Sequence, residues 1–188
     1  MLLQLQVDGY TVSMEDSSPY AAGVAQDTVG FQREYCLGKM DFQASSRHIL
    51  RVLKVDSEIA SCMLQATGGA SGVHEHSMLI DQRSCIVAVG PYLCSLALPS
   101  LDLEWQVQVD WATCFGVYRS QRHRCYLSHG EMGIACVSYS GELRWSNGGK
   151  DIFTGCFELK DDHIEVADFN GDVYRIEISS GAICLVAS

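Results

Sequence analysis

No stretch of this chain approaches the run of about 18 apolar residues that a membrane-spanning helix needs. Its N-terminus, Met-Leu-Leu-Gln-Leu-Gln-Val-Asp, has neither the basic region nor the long apolar core of a signal peptide. Cys-x-x-Cys spacing is absent although there are nine cysteines. An odd, scattered set of that kind reads as reduced, mostly buried thiols of a cytoplasmic protein, not as a disulfide framework. Basic residues are scarce: 13 Lys and Arg stand against 23 Asp and Glu, a net charge of −10. Such a chain repels nucleic acid and anionic lipid, so neither is expected as a partner; the acidity serves solubility or, alternatively, presents a face to a basic protein. Gly-x-Ser-x-Gly elbows, phosphate-cradling glycine loops and Asp-rich calcium loops are missing too.

What the chain does have is a period. Trp105 follows Leu-Asp-Leu-Glu, Trp145 follows Gly-Glu-Leu-Arg, and Leu185 stands one further interval on. Ile86, Tyr126 and Val166 share that spacing of about 40 residues, as do Leu96, Cys136 and Ile176, and Leu93, Gly133 and Val173. Gly90, Gly130 and Asn170 mark the same turn. The units run 81–120, 121–160 and 161–188, preceded by a degenerate part, 1–80, in which Leu53 still aligns with Leu93.

Each unit reads as strands. Ile164 and Val166 alternate with Glu165, Asn170-Gly171 supplies a hairpin turn, and Tyr174, Ile176 and Ile178 alternate with Arg175 and Glu177. Near the N-terminus, Leu3, Leu5 and Val7 alternate with polar residues and turn at Asp8-Gly9 into Tyr10, Val12 and Met14. The segment from His48 to Asp56 suits helix and strand equally. The expectation is a single all-β domain over 1–188, built from repeated antiparallel sheets.

The stretch Asp168-Phe-Asn-Gly-Asp-Val-Tyr-Arg-Ile-Glu-Ile-Ser-Ser-Gly-Ala-Ile183 resembles a blade of the pyrroloquinoline-quinone-type (PQQ-like) β-propellers. Those blades run Asp-x-x-Gly-x-Val-Tyr-x-Ile/Leu, then a Thr/Ser-Gly turn, then a Trp. Tyr139-Ser-Gly-Glu-Leu-Arg-Trp145 resembles the end of the preceding blade. The good match covers 163–185, with weaker echoes over 83–145. The resemblance implies propeller-like blade geometry and no particular cofactor, and none is expected. At about 40 residues a blade there is room for at most four, the lower limit for a closed ring. The last unit has Leu185 where the Trp belongs. A small or incomplete propeller and a propeller-like sandwich are the architectures that follow.

Candidate chemistry is thin. His74-Glu75-His76 on a strand would place two imidazoles on one side, with His123, Cys125 or His129 as a third metal ligand. His129-Gly130-Glu131 would make an acid–base pair, but the period assigns Gly130 to a turn. Cys125 follows Arg122, His123 and Arg124, the densest basic cluster, which would activate its thiol. Trp105 and Trp145, being repeat-equivalent, belong to the packing between sheets. Trp111 and Phe115 break the period and, with Arg122, His123 and Arg124, are the candidates for a binding surface. The loops 15–30, 66–74 and 146–151 are where such scaffolds carry function. A repeat scaffold with no coherent catalytic set points to a non-enzymatic binding or scaffolding module that contacts another protein. A metal-dependent hydrolase using the histidines and a small-ligand sensor with a central channel are the alternatives.

Overall fold

The computed structural model describes residues 2–17, 30–39, 43–55 and 57–187. Seventeen strands and, among the described residues, no helix form four small sheets. Sheet 1 contains β1 (Leu2–Val7), β2 (Tyr10–Asp16), β3 (Arg33–Leu37), β4 (Ser46–Lys54) and β5 (Ser57–Ala66) in the spatial order β1-β2-β4-β5-β3. Its β3–β5 pairing is parallel, and its other pairings are antiparallel. The remaining sheets are four-stranded antiparallel meanders in chain order. Sheet 2 is β6 (Met78–Asp81), β7 (Ser84–Val89), β8 (Tyr92–Ala97) and β9 (Asp102–Gln108). Sheet 3 is β10 (Cys114–Ser120), β11 (Cys125–Gly130), β12 (Ile134–Ser138) and β13 (Leu143–Asn147). Sheet 4 is β14 (Phe157–Leu159), β15 (His163–Ala167), β16 (Val173–Glu177) and β17 (Ile183–Ala187).

The sequence period maps onto these strands. Ile86, Tyr126 and Val166 lie on the second strand of their sheets, Leu96, Cys136 and Ile176 on the third, and Trp105, Trp145 and Leu185 on the fourth. A register shift recurs between β4 and β5, β8 and β9, β12 and β13, and β16 and β17, adding local twist between the same pair of strands in every sheet. The ambiguous segment from His48 is strand β4, paired on both sides. Asp8-Gly9 makes a two-residue turn with positive φ at both positions, 45° and 81°, matching the strand twist. Asn170-Gly171 does not: only Gly171 is left-handed there. Its N–H donates to the Asp168 carbonyl at 3.1 Å, and the Asp168 carboxylate accepts from the N–H groups of Asn170 and Asp172. Of the loop expected over 15–30, Glu15 and Asp16 close β2, and 18–29 lie outside the described residues.

Strand alternation turns each sheet into two faces, and the apolar faces stack. Met14, Leu50, Val52 and Leu64 of sheet 1 meet Val87, Cys94 and Leu96 of sheet 2. Ile86 and Leu93 meet Val117, Tyr126 and Val137 of sheet 3. Leu127, Ile134 and Cys136 meet Ile164, Val166, Tyr174 and Ile176 of sheet 4. Among the described residues no fourth cluster joins sheet 4 to sheet 1, and β17 pairs with β16 rather than with β1. The central-channel reading required that pairing. The far face of sheet 4 is polar instead, crossed by a contact between His163 and Glu165 at 3.4 Å and an ion pair between Arg175 and Glu177 at 2.9 Å.

Aromatic side chains lock successive sheets together. A Cβ added at Gly141 would stand 2.6 Å from the Trp105 ring, and one at Gly181 would stand 2.7 Å from the Trp145 ring. Both glycines are left-handed and sit in the turn before the fourth strand of the next sheet. The Trp145 indole N–H also donates to the Ile178 carbonyl at 2.9 Å. Tyr35 does the same work from sheet 1: its hydroxyl donates to the Leu101 carbonyl at 3.0 Å and accepts from the Leu103 N–H at 3.2 Å. Trp105 and Trp145 are accordingly half-buried at the junctions, while Leu185 is 42% exposed.

Candidate functional site

The link from sheet 2 to sheet 3 is pinned at both ends. The N–H groups of Val109 and Asp110 donate to the Pro91 carbonyl at 2.9 and 3.2 Å, and that of Cys114 donates to the Gly90 carbonyl at 2.7 Å. The Asp110 carboxylate accepts from Ala112 (2.7 Å), Met132 (2.9 Å) and Gly133 (3.0 Å), stapling the link to the β11–β12 turn. Gly130 has to be glycine for this, since a Cβ there would strike the Asp110 carboxylate. Burial pushes the Asp110 pKa up, and the backbone N–H groups oppose that shift. Asp110→Ala is expected to lower unfolding stability by about 2 kcal/mol, because three donors lose their acceptor while one desolvated charge is relieved. Urea denaturation of the two proteins checks it.

With its neighbours fixed, Trp111 is turned outward and is 85% exposed. Beside it, between β9 and β13, lies a groove of about 360 Å³ lined by Gln108, Asp110, Met132, Leu143 and Ser146 among others. Met132 and Leu143 are each 47% exposed and give the groove an apolar rim, and the buried Asp110 is among its lining residues. Phe115, the other period-breaking aromatic, is not part of this groove. It is half-buried, edge-on to His129 at 5.4 Å.

The three candidate metal ligands lie in one neighbourhood without converging on a common point. His129 stacks on Phe157 at 5.0 Å, His76 lies 4.5 Å from the Tyr118 ring, and His74 is 6.2 Å from His76. The segment is a turn before β6, not a strand. It covers the open edge of β10: the His76 carbonyl accepts from the Val117 N–H at 2.8 Å, and His74 Nε2 meets the Phe115 carbonyl at 2.5 Å. A carbonyl only accepts, so Nε2 carries the proton. His74 Nδ1 in turn accepts from the His76 N–H at 3.2 Å. Both nitrogens of His74 are thus spent on backbone. Burial pushes His129 down to about 4, opposed by the Phe153 backbone and reinforced by His74 and His76. Among the described residues no group of three or more His, Cys, Asp or Glu is arranged to hold a metal ion. Glu131 contributes backbone, not side chain, to this region, bonding Thr113 and Phe153.

The basic cluster is tied down at the other end of sheet 3, in the β10–β11 turn. Arg122 pairs with Asp162 of sheet 4 at 2.9 Å, with His123 3.4 Å from the same carboxylate. Arg144 donates to the carbonyls of His123 and Arg124. Cys125 is fully buried facing sheet 4. Its hydrogen bond to Cys136 and its burial both push its pKa up, so the neighbouring cations do not make it a thiolate.

One arrangement gave no signal in the sequence. Between sheets 1 and 2, His48 Nε2 is 3.0 Å from Ser71 Oγ, and His48 Nδ1 is 3.7 Å from the Asp16 carboxylate. The order is that of a nucleophile relay. Ser71 Oγ, however, is buried against Ser46 Oγ and accepts from the Gly90 N–H at 2.8 Å, so it closes a gap in the interface. Burial holds His48 down at about 4 against the pull of Asp16.

Among the described residues no helix is long and apolar enough to cross a membrane. No protein-family model matches the sequence, and no curated protein matches it. Solved structures do. The crystal structure of the computationally designed Ika8 protein is 9% identical with a TM-score of 0.56, over 96% of this chain and 46% of that one. The Pan2 WD40 domain of Neurospora crassa is 10% identical with a TM-score of 0.51, over 60% of this chain and 38% of that one. This chain spans less than half the length of either. At these identities the likeness is one of fold: four small stacked sheets in the β-propeller manner of the designed and WD40 proteins.

Proposed function

We propose that this chain is a non-enzymatic binding or scaffolding module whose partner is another protein. The observation that carries the reading is Trp111, a large apolar side chain held 85% exposed beside a groove by a link whose backbone is hydrogen-bonded on both sides of it. Exposed aromatics on rigid links are the anchors around which interfaces form. The side chains that would do chemistry are engaged structurally: His74 on backbone, Ser71 within the sheet 1–sheet 2 packing and Cys125 as a buried thiol. Nine free cysteines, six of them buried, support a reducing, cytoplasmic setting. Within the propeller class, the Asp168–Tyr174 hydrogen bond and the Trp145 junction support the PQQ-like blade type.

The test is affinity capture from the native cell with the wild-type chain and with Trp111→Asp. An exposed site tolerates the change, so the melting temperature is expected to move by no more than about 2 °C. The proteins retained by the wild type are expected to fall by about tenfold with the variant, the loss of one anchor. An identical set retained by both overturns the reading.

A further inference from the structure

We propose that the Trp111 groove seats an arginine side chain of the partner protein, its guanidinium stacked on the exposed indole and Asp110 supplying the opposite charge. The inference rests on the protein-binding reading above and names what that site recognises.

The groove contains the two elements that recognise a cation. The first is the open face of an indole, the aromatic ring that attracts cations most strongly. The second is Asp110, the one ionisable group among the residues lining the groove. Its carboxylate is held entirely by backbone N–H groups, those of Ala112, Met132 and Gly133. Those bonds fix its position and leave its charge without a cationic partner among the described residues, in a place buried enough to raise its pKa. A desolvated carboxylate in that state gains from a cation brought within reach, and water supplies less of that gain than it does at an open surface. The net charge of −10 draws a basic partner from a distance.

Shape selects arginine over lysine. A volume of about 360 Å³ is at the small end for a ligand pocket, enough for one long side chain and its flanking backbone. Met132 and Leu143 offer apolar surface to the methylene stem, and a planar guanidinium stacks on an indole as a compact, strongly hydrated ammonium does not. The partner segment is therefore one that projects an exposed arginine, as a basic loop or tail does.

The experiment titrates the full isotope-labelled chain with the peptide acetyl-Gly-Arg-Gly-amide and, separately, with its citrulline counterpart, which keeps the shape and removes the charge. Trp111 indole and Gly133 amide resonances are followed by NMR. A saturable shift is expected with the arginine peptide, in the millimolar range appropriate to so small a ligand. Affinity is expected to be about tenfold weaker for citrulline, the worth of one partly desolvated charge contact, and to fall with added salt. Trp111→Ala is expected to abolish the shift at Gly133, and Asp110→Asn to weaken binding by about tenfold. If Asp110→Asn loses its dispersed spectrum, the citrulline and salt arms decide alone. No saturation, or equal binding of the two peptides, overturns the proposal. Capture that depends on Trp111 without arginine binding would leave the protein-binding reading standing and this one refuted. Arginine binding without Trp111-dependent capture would refute the protein-binding reading and, with it, a partner protein as the source of the arginine, leaving the groove's affinity for the side chain.

Discussion

Gly141→Ala is expected to destabilise the fold by about 3 to 4 kcal/mol, and Gly171→Ala by only about 1 kcal/mol. The two glycines have nearly the same backbone, φ +85° and +87°, so the left-handed penalty is common to both. They differ in what a side chain would meet. At Gly171 nothing lies within 4 Å, whereas at Gly141 the Trp105 ring is 2.6 Å away and sits in the packed junction between sheets 2 and 3. The new methyl must displace the indole, and a well-packed interface resists that. Gly181→Ala is expected to behave like Gly141→Ala, since φ is +72° and Trp145 stands 2.7 Å away. Guanidinium denaturation of the three variants checks the ranking. Trp105→Leu in the Gly141→Ala background is expected to return part of the loss, a positive coupling that a purely backbone effect would not give. Equal losses at positions 141 and 171 would remove the clamp as a source of stability.

Acid is the second large effect. His48 and His129 are both held near 4 in the fold, against about 6.5 in an unfolded chain. Each therefore stays neutral when folded and takes up a proton when unfolded, so acid favours unfolding. Their stability is fully present above pH of about 6.5 and is lost as the pH falls toward 4, by roughly 3 kcal/mol for each residue. Together that is a large part of the margin of a domain this size. Asp110, whose pKa is raised, works in the opposite direction and returns a little of the loss. Denaturation midpoints measured from pH 7 to 4.5 are expected to fall steeply. Replacing either histidine with glutamine is expected to remove about half of the slope, because one titrating group is gone. A wild-type midpoint that is flat across this range would show that neither imidazole is shielded.

The parts of the fold that were legible in the sequence are those written in local alternation and in the period. β15, the β1–β2 hairpin and the equivalence of Trp105 with Trp145 follow from residue order, because strand faces and turns are set by near neighbours. Sheet 1 was not legible in the same way. Its outermost strand, β3, returns parallel to β5 after a crossover, and only long-range pairing fixes that place. In the candidate site, Trp111 stood out because it breaks the period. Asp110 breaks it too, with Ala70 and Lys150 at the corresponding positions, and that signal could have found it. His74 and Cys125 misled for one reason: reactivity depends on what the heteroatoms already touch. The Phe115 carbonyl and the Cys136 thiol lie far away in sequence or on another strand.

The three aromatic locks described above point one way. Tyr35 reaches forward to sheet 2, Trp105 to sheet 3 and Trp145 to sheet 4. A strand is thus fastened to the hairpin made next, so each junction can form once one further sheet exists and does not wait for the whole chain. That gives the stack a polarity suited to assembly during synthesis, with each finished sheet presenting the docking ring for its successor.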